Sequence, residues 1–183
     1  MKKSFIFWFT GLSGSGKTTV ARAIKTLLEA HDCSVLILDG DDVRERLHVD
    51  IGFSEQDIKK NNSLIADLCQ TYRSDYDVIL VPIISPYEIS RKQAHILLGD
   101  GFFEIYFSAD LATVMKRDIK GLYAKAKRGE INNLIGYSPS NVFEPPQSPD
   151  FVVNSGCDSV EKSVAELYKF IIKQIKFSQR FGT

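Results

Sequence analysis

Between the apolar run Phe5–Phe9 and a helical pattern that opens at Lys17 lies Gly11-Leu12-Ser13-Gly14-Ser15-Gly16-Lys17-Thr18. The octet fits G-x-x-x-x-G-K-[ST] at every position and occupies the strand–loop–helix setting that the pattern needs. Its glycines let the loop wrap with the amides of Gly11, Ser13, Gly14, Ser15 and Gly16 turned inward on phosphate oxygens. The helix that follows offers its positive end to the same anion. In such a loop Lys17 reaches the β- and γ-phosphates and Thr18 holds Mg²⁺, with Thr19 beside them. The stretch therefore predicts an ATP-type polyphosphate site at the end of a first strand.

Working outward, short apolar runs alternate with longer helical patterns. Val35–Leu38, Val78–Val81, Phe103–Phe107 and Phe151–Val153 read as further buried strands. Lys17–Ala30, Ser54–Tyr72, Glu88–Leu98, Leu111–Arg128 and Val160–Lys176 read as helices, the first with Val20, Ala21, Ile24, Leu27 and Leu28 at helical spacing. Asp158, three residues before Glu161, is the expected N-cap of the last. The alternation, with the phosphate loop after its first strand, predicts an α/β fold of the P-loop type, with a five-stranded, mainly parallel sheet flanked by helices. Asn132–Asp150, with Pro139, Pro145, Pro146 and Pro149, reads as a loop that orders on binding rather than a boundary. Residues 1–183 are then one domain with a lid at about 116–148.

Composition narrows the function. Of 183 residues, 44% are hydrophobic and 25% charged, which excludes disordered and fibrous classes. Lys plus Arg and Asp plus Glu both number 23, so zero net charge argues against nucleic acid or anionic membrane as the main partner. Three scattered cysteines (Cys33, Cys69, Cys157) fit free thiols, and the three histidines show no metal-ligand spacing. The five-residue apolar run near the start is too short for a signal peptide, and no stretch approaches a membrane span. A cytoplasmic protein is expected.

A phosphate loop leaves open which oxygen attacks. No N/T-K-x-D base-reading motif is present, and the D-x-x-G match Asp118–Gly121 falls late in the chain. A small-molecule kinase needs a carboxylate near the acceptor hydroxyl, groups for the acceptor's own charge, and basic residues around the transferring phosphoryl. The second strand ends in Leu38-Asp39-Gly40-Asp41-Asp42-Val43-Arg44, at the crevice where such sheets bind ligands. Asp41 is placed to orient or deprotonate a hydroxyl, or to hold Mg²⁺, and Arg44 to pair with an acceptor anion. Lys116, Arg117, Lys120, Lys125, Lys127 and Arg128 form a basic cluster that beside a phosphate loop reads as a lid over ATP.

Taken together, Gly11–Thr19, Leu38–Asp41 with Arg44, Gly52-Phe53-Ser54, Ile84-Ser85-Pro86-Tyr87 and Arg117–Tyr123 extended by Lys125–Ile131 resemble the adenylylsulfate (APS) kinases over roughly residues 5–155. That resemblance implies transfer of the γ-phosphoryl of ATP to the 3′-hydroxyl of adenosine 5′-phosphosulfate, with Mg²⁺, in a homodimer. It implies that Asp41 serves the hydroxyl and that Arg44 and Asn61 grip the nucleotide's charged part and ribose. Phe53 would stack on the base, and Ile84 and Ser85 would line the acceptor site. Ser85 also matches a serine phosphorylated in some members, although direct transfer needs no phosphoenzyme. Arg117 would contact ATP and Lys120 the acceptor side.

The chain departs from the family pattern at the acceptor pocket. Where the family reads D-R-x-x-N, this chain has Asp57-Ile58-Lys59-Lys60-Asn61, and helical geometry points Lys59 and Lys60 away from the missing arginine's place. Where it reads F-T-G-I, this chain has Leu134-Ile135-Gly136-Tyr137, so Leu134 replaces the second aromatic face of the base clamp. About two extra residues precede Glu144-Pro145-Pro146, and Glu88 replaces the arginine after S-P-Y. A lost stacking face is worth about 1–3 kcal/mol per base, and a lost charge-assisted bond about 1.5–3 kcal/mol. These changes keep open a second acceptor, the cytidine diphosphoramidate of capsule biosynthesis, whose kinases resemble this family. A protein that senses ATP without transferring phosphate is the alternative from another class.

Overall fold

The computed structural model describes residues 4–41, 43 and 52–181, the last of them, 177–181, by backbone alone. Arg44 and Asp42 lie outside the described residues. Five strands form one sheet: β1 (Phe5–Thr10), β2 (Val35–Ile37), β3 (Val78–Pro82), β4 (Phe102–Phe107) and β5 (Phe151–Val153). Their order is β2-β3-β1-β4-β5. Every pairing is parallel, with Phe7 opposite Leu80 on one side and Phe103 on the other. Six helices complete the described elements: α1 (Lys17–Glu29), α2 (Glu55–Tyr72), α3 (Glu88–Leu98), α4 (Leu111–Arg117), α5 (Leu122–Lys127) and α6 (Val160–Phe181).

The period-2 alternation of a strand explains why FIFWF is apolar throughout. Phe5, Phe7 and Phe9 enter one core with Val20, Ile24 and Leu28 of α1 and Leu167 and Ile171 of α6. Ile6 and Trp8 enter the other, with Ile65 and Cys69 of α2 and Ala94 and Leu98 of α3. β1 is thus buried on both faces at the centre of the sheet. Its carboxyl end delivers the phosphate loop to the crevice between β3 and β4, where the strand order reverses direction.

Two expectations are corrected. The helical pattern at Leu111–Arg128 is two helices, because Asp118 ends α4 at φ 23° and Gly121 opens α5 at φ 66°. The carboxylate of Asp118 then takes the amides of Tyr123 (3.1 Å) and Ala124 (2.9 Å), capping α5 from outside. The second correction is at α6, which Ser159 caps: its hydroxyl accepts from the Lys162 amide at 3.2 Å. Asp158, one residue earlier, instead pairs with the Lys162 ammonium at 2.7 Å.

Candidate active site

The phosphate loop is shaped by close approaches that only glycine tolerates. Gly11 has φ 147°, and a Cβ there would stand 2.7 Å from the Phe107 carbonyl oxygen. Gly16, at φ 90°, caps α1 and turns the chain into it. The buried Lys17 ammonium folds back inside the loop, donating to the carbonyls of Gly11 and Leu12 at 2.8 Å each and to Ser15 Oγ at 3.2 Å. Burial, and then the charge of Lys120, bring its pKa down to about 7 against the opposing pull of Asp39 and Asp41.

Three segments converge on this loop. From beyond β2, Asp39 accepts from Thr18 Oγ1 at 2.7 Å with one carboxylate oxygen and from the Asp41 amide at 3.1 Å with the other. Asp41 itself is exposed and forms an ion pair with Lys120. From the segment after α4, Tyr123 is buried and donates its hydroxyl to the Ser13 carbonyl at 3.0 Å, rooting that segment on the loop backbone. Burial, with Asp118 nearby, pushes the Tyr123 phenol up to about 12, so it stays a donor. Arg117 donates to the Ser155 carbonyl at 2.6 Å, just past β5.

Beyond β3 the chain turns a tight corner at Ile84-Ser85-Pro86-Tyr87. The Gly11 amide donates to the Ile84 carbonyl at 3.2 Å, so the corner and the phosphate loop share a bond. Thr10 Oγ1 donates to the carbonyls of Ile84 (2.7 Å) and Ser85 (3.0 Å), and the Trp8 indole donates to Ser85 Oγ at 3.1 Å. Ser85 sits at φ 44°, a left-handed conformation for a residue that precedes proline. Such strain persists where the surroundings over-determine it, and here strand β1 does so.

α2 and the 132–145 segment close the far side. Ser54 caps α2, its hydroxyl accepting from the Asp57 amide at 3.2 Å while Asp57 accepts from the Ser54 amide. Asn61 is buried on α2 one turn beyond Ile58. Ile58 is buried with Tyr87 and Ile135, with Ile84 packed against them. Lys59 stands 5.4 Å from the centre of the Tyr87 ring and is tied to Glu55. Leu134 is buried with Leu12, Val114 and Tyr123, beside the phosphate loop, whereas the Phe53 ring is half exposed. The side-chain amide of Asn141 donates to the carbonyls of Phe53 (3.0 Å) and Asn133 (2.7 Å). That bond ties the Phe53 turn to the proline-rich stretch, which is held by contacts of its own.

Lys17, Thr18, Asp41 and Lys120 are therefore gathered at one cleft, and Ser85 and Ile84 are joined to it through β1. Sequence reasoning missed three groups here: Asp39 as the partner of Thr18, Tyr123 as an anchor, and Asn141. The first was signalled by its place at a strand end. The other two become visible only when distant segments meet. The sequence pattern of the adenylylsulphate kinases matches residues 3–154. The chain belongs to that family. Its relatives include the adenylyl-sulfate kinase of Halothermothrix orenii, 41% identical over 174 residues that cover 93% of this chain and 90% of the relative. That of Acaryochloris marina is 38% identical over 169 residues, covering 92% of this chain and 82% of the relative. The APS kinase CysC of Mycobacterium tuberculosis, solved in complex with AMPPNP and APS, matches with a TM-score of 0.82 and 32% identity. That alignment covers 96% of this chain and 99% of the other. As in other adenylylsulphate kinases, a P-loop and an ATP-dependent kinase fold come together here. No helix among the described residues is long and apolar enough to cross a membrane.

Proposed function

We propose that this adenylylsulphate kinase transfers the γ-phosphoryl of ATP to the 3′-hydroxyl of adenosine 5′-phosphosulfate, giving 3′-phosphoadenylylsulfate. The observation that carries the reading is the convergence of Lys17, the Thr18–Asp39 pair and the Asp41–Lys120 pair on one cleft. The Mycobacterium tuberculosis relative that binds both APS and an ATP analogue supports the choice of substrates. The attacking 3′-oxygen bonds to the γ-phosphorus while the bond from that phosphorus to the β–γ bridging oxygen breaks, leaving ADP. Asp41 orients the hydroxyl and receives its proton. Lys17 and the loop amides hold the phosphates in line, and Arg117 and Lys120 of the lid, about residues 116–148, meet the charge that develops.

Mg²⁺ fits the oxygens present. Thr18 Oγ1 and the Asp39 carboxylate are hard oxygen donors 2.7 Å apart, and Asp41 lies next to them. Among the described residues no cluster of three or more His, Cys, Asp or Glu side chains forms a self-sufficient cage. That suits a cation whose remaining ligands are phosphate oxygens and water. When bound, it would neutralise charge on the β- and γ-phosphates. In this reading Phe53 and Leu134 border the base, Asn61 the ribose, and Ile84 and Ser85 the acceptor's floor; Arg44 is assigned to the acceptor's anion by the family pattern alone. A cytoplasmic homodimer belongs to the same proposal and is checked by sedimentation.

A second acceptor is favoured by one observation. Ile58 lies among Tyr87 and Ile135 with 3% of its surface exposed, so the wall where an arginine was expected is apolar. A neutral amide in place of sulfate, as in cytidine diphosphoramidate, suits such a wall. An acceptor panel with [γ-³²P]ATP tests both. Product with APS, lost in Lys17→Ala and lowered about 10²-fold in Asp41→Asn, is the expected result. A strong preference for the cytidine compound would reassign the acceptor. Binding of ATP with no product from any acceptor would overturn the kinase reading in favour of a sensor.

A further inference from the structure

Arg91 of α3 is among the most deeply buried side chains of the protein, with 2% of its surface exposed, and the chemistry above does not use it. Its Nη1 donates to the carbonyl of Ser85 and its Nη2 to the carbonyl of Glu144, each at 2.9 Å. Its Nε approaches Glu104 Oε1 of β4 at 2.5 Å, a charge contact in which neither atom has an aligned hydrogen-bond partner. One guanidinium thus joins three separate stretches of chain: the strained corner, the carboxyl end of the proline-rich segment, and the sheet.

The corner and Glu144 are stitched together a second and a third time. The Glu144 amide donates to the Pro86 carbonyl at 2.9 Å, and its carboxylate accepts from the Glu88 amide at 2.7 Å. A buried arginine needs a counter-charge, and Glu104 supplies it. Nothing about burial requires that its remaining donors meet main-chain carbonyls on two different loops. Those loops flank the acceptor's place in the reading proposed above, on which this inference rests. We propose that Arg91 is a positioning residue. It fixes Ser85 and the tether of the lid at Glu144 in one register, so that the acceptor hydroxyl is presented to the γ-phosphoryl.

A lysine at this position retains the charge facing Glu104 but loses the planar fork that serves two carbonyls at once. A role in charge balance and a role in positioning therefore predict different behaviour. The experiment varies APS and ATP separately in steady-state assays of wild type, Arg91→Met, Arg91→Lys and Glu144→Ala. Glu144 is exposed, and its change to alanine removes the bond to the Glu88 amide and a carboxylate charge near Lys59 and Tyr87 but no core packing, so this variant is expected to fold. The expected result is a drop of at least tenfold in kcat/KM for APS in both Arg91 variants, with the KM for ATP within twofold. Glu144→Ala should fall about threefold on the same axis. Arg91→Lys with wild-type constants, Glu144→Ala with an unchanged APS constant, or parallel shifts for both substrates would overturn the positioning role. A wild type inactive on every acceptor would overturn the functional reading and this inference with it; an active wild type with unaffected variants would overturn this inference alone.

Discussion

Lys17 holds its ammonium against two carbonyls and a hydroxyl of its own loop, with a pKa brought down to about 7. Phosphate oxygens favour the charged form, so ATP binding returns the lysine's pKa toward its ordinary value. At pH 8 binding should therefore take up a proton. Calorimetry in buffers of different ionisation enthalpy reads that uptake as a buffer-dependent heat, and Lys17→Met should abolish the dependence. The neighbouring ion pair of Asp41 with Lys120 joins the proposed acceptor-side carboxylate to the basic segment above it. The octet around Lys17 was legible at once, because every position in it answers to one anion. Arg91 was not legible: in the sequence it stands among Glu88, Lys92 and Gln93 and looks like part of a solvated face. Only the packing of α3 against the sheet buries it.

The strands were readable as apolar runs and the longer helices as 3.6-residue patterns, since both follow from what the sheet must bury on its two faces. The break at Asp118–Gly121 was harder to read, because Leu111–Arg128 keeps helix-forming residues on either side of it. What divides it is a local competition: the Asp118 carboxylate satisfies the first amides of α5 better than continued helix would. Asp118→Ala should cost about 1 kcal/mol of local stability. Hydrogen exchange at the Tyr123 and Ala124 amides should quicken about fivefold, while amides of β1 remain as protected as before. Unchanged exchange at those two amides would count against the cap. Removing the cap also loosens the frame that aims the Tyr123 hydroxyl at Ser13.

At the scale of the whole molecule, the buried Lys17 and the partly buried Glu104 tilt stability in opposite directions with pH. The folded Lys17 binds protons less readily than the unfolded one between about pH 7 and 10.5, so its contribution rises as pH rises through that range. The sum is on the order of a few kcal/mol. Glu104 is held above the usual carboxylate range by burial, against the pull of Arg91, so its contribution falls as pH climbs past 4.5. Urea titrations at pH 7, 8 and 9 should show stability rising in wild type relative to Lys17→Met, and parallel curves would remove the assignment. Zero net charge had excluded a generally basic surface. The folded chain shows what that neutrality contains: carboxylates of Asp39 and Asp41 set against Lys17 and Lys120 at a single cleft.

The chain has a single tryptophan, and it is the residue whose indole donates to Ser85. All intrinsic indole fluorescence therefore originates from one buried emitter directly beneath the strained corner. A shift of emission wavelength or lifetime is a label-free signal from that corner alone, undiluted by other chromophores of its kind. Stopped-flow mixing with nucleotide can follow the corner in real time, without any residue being altered.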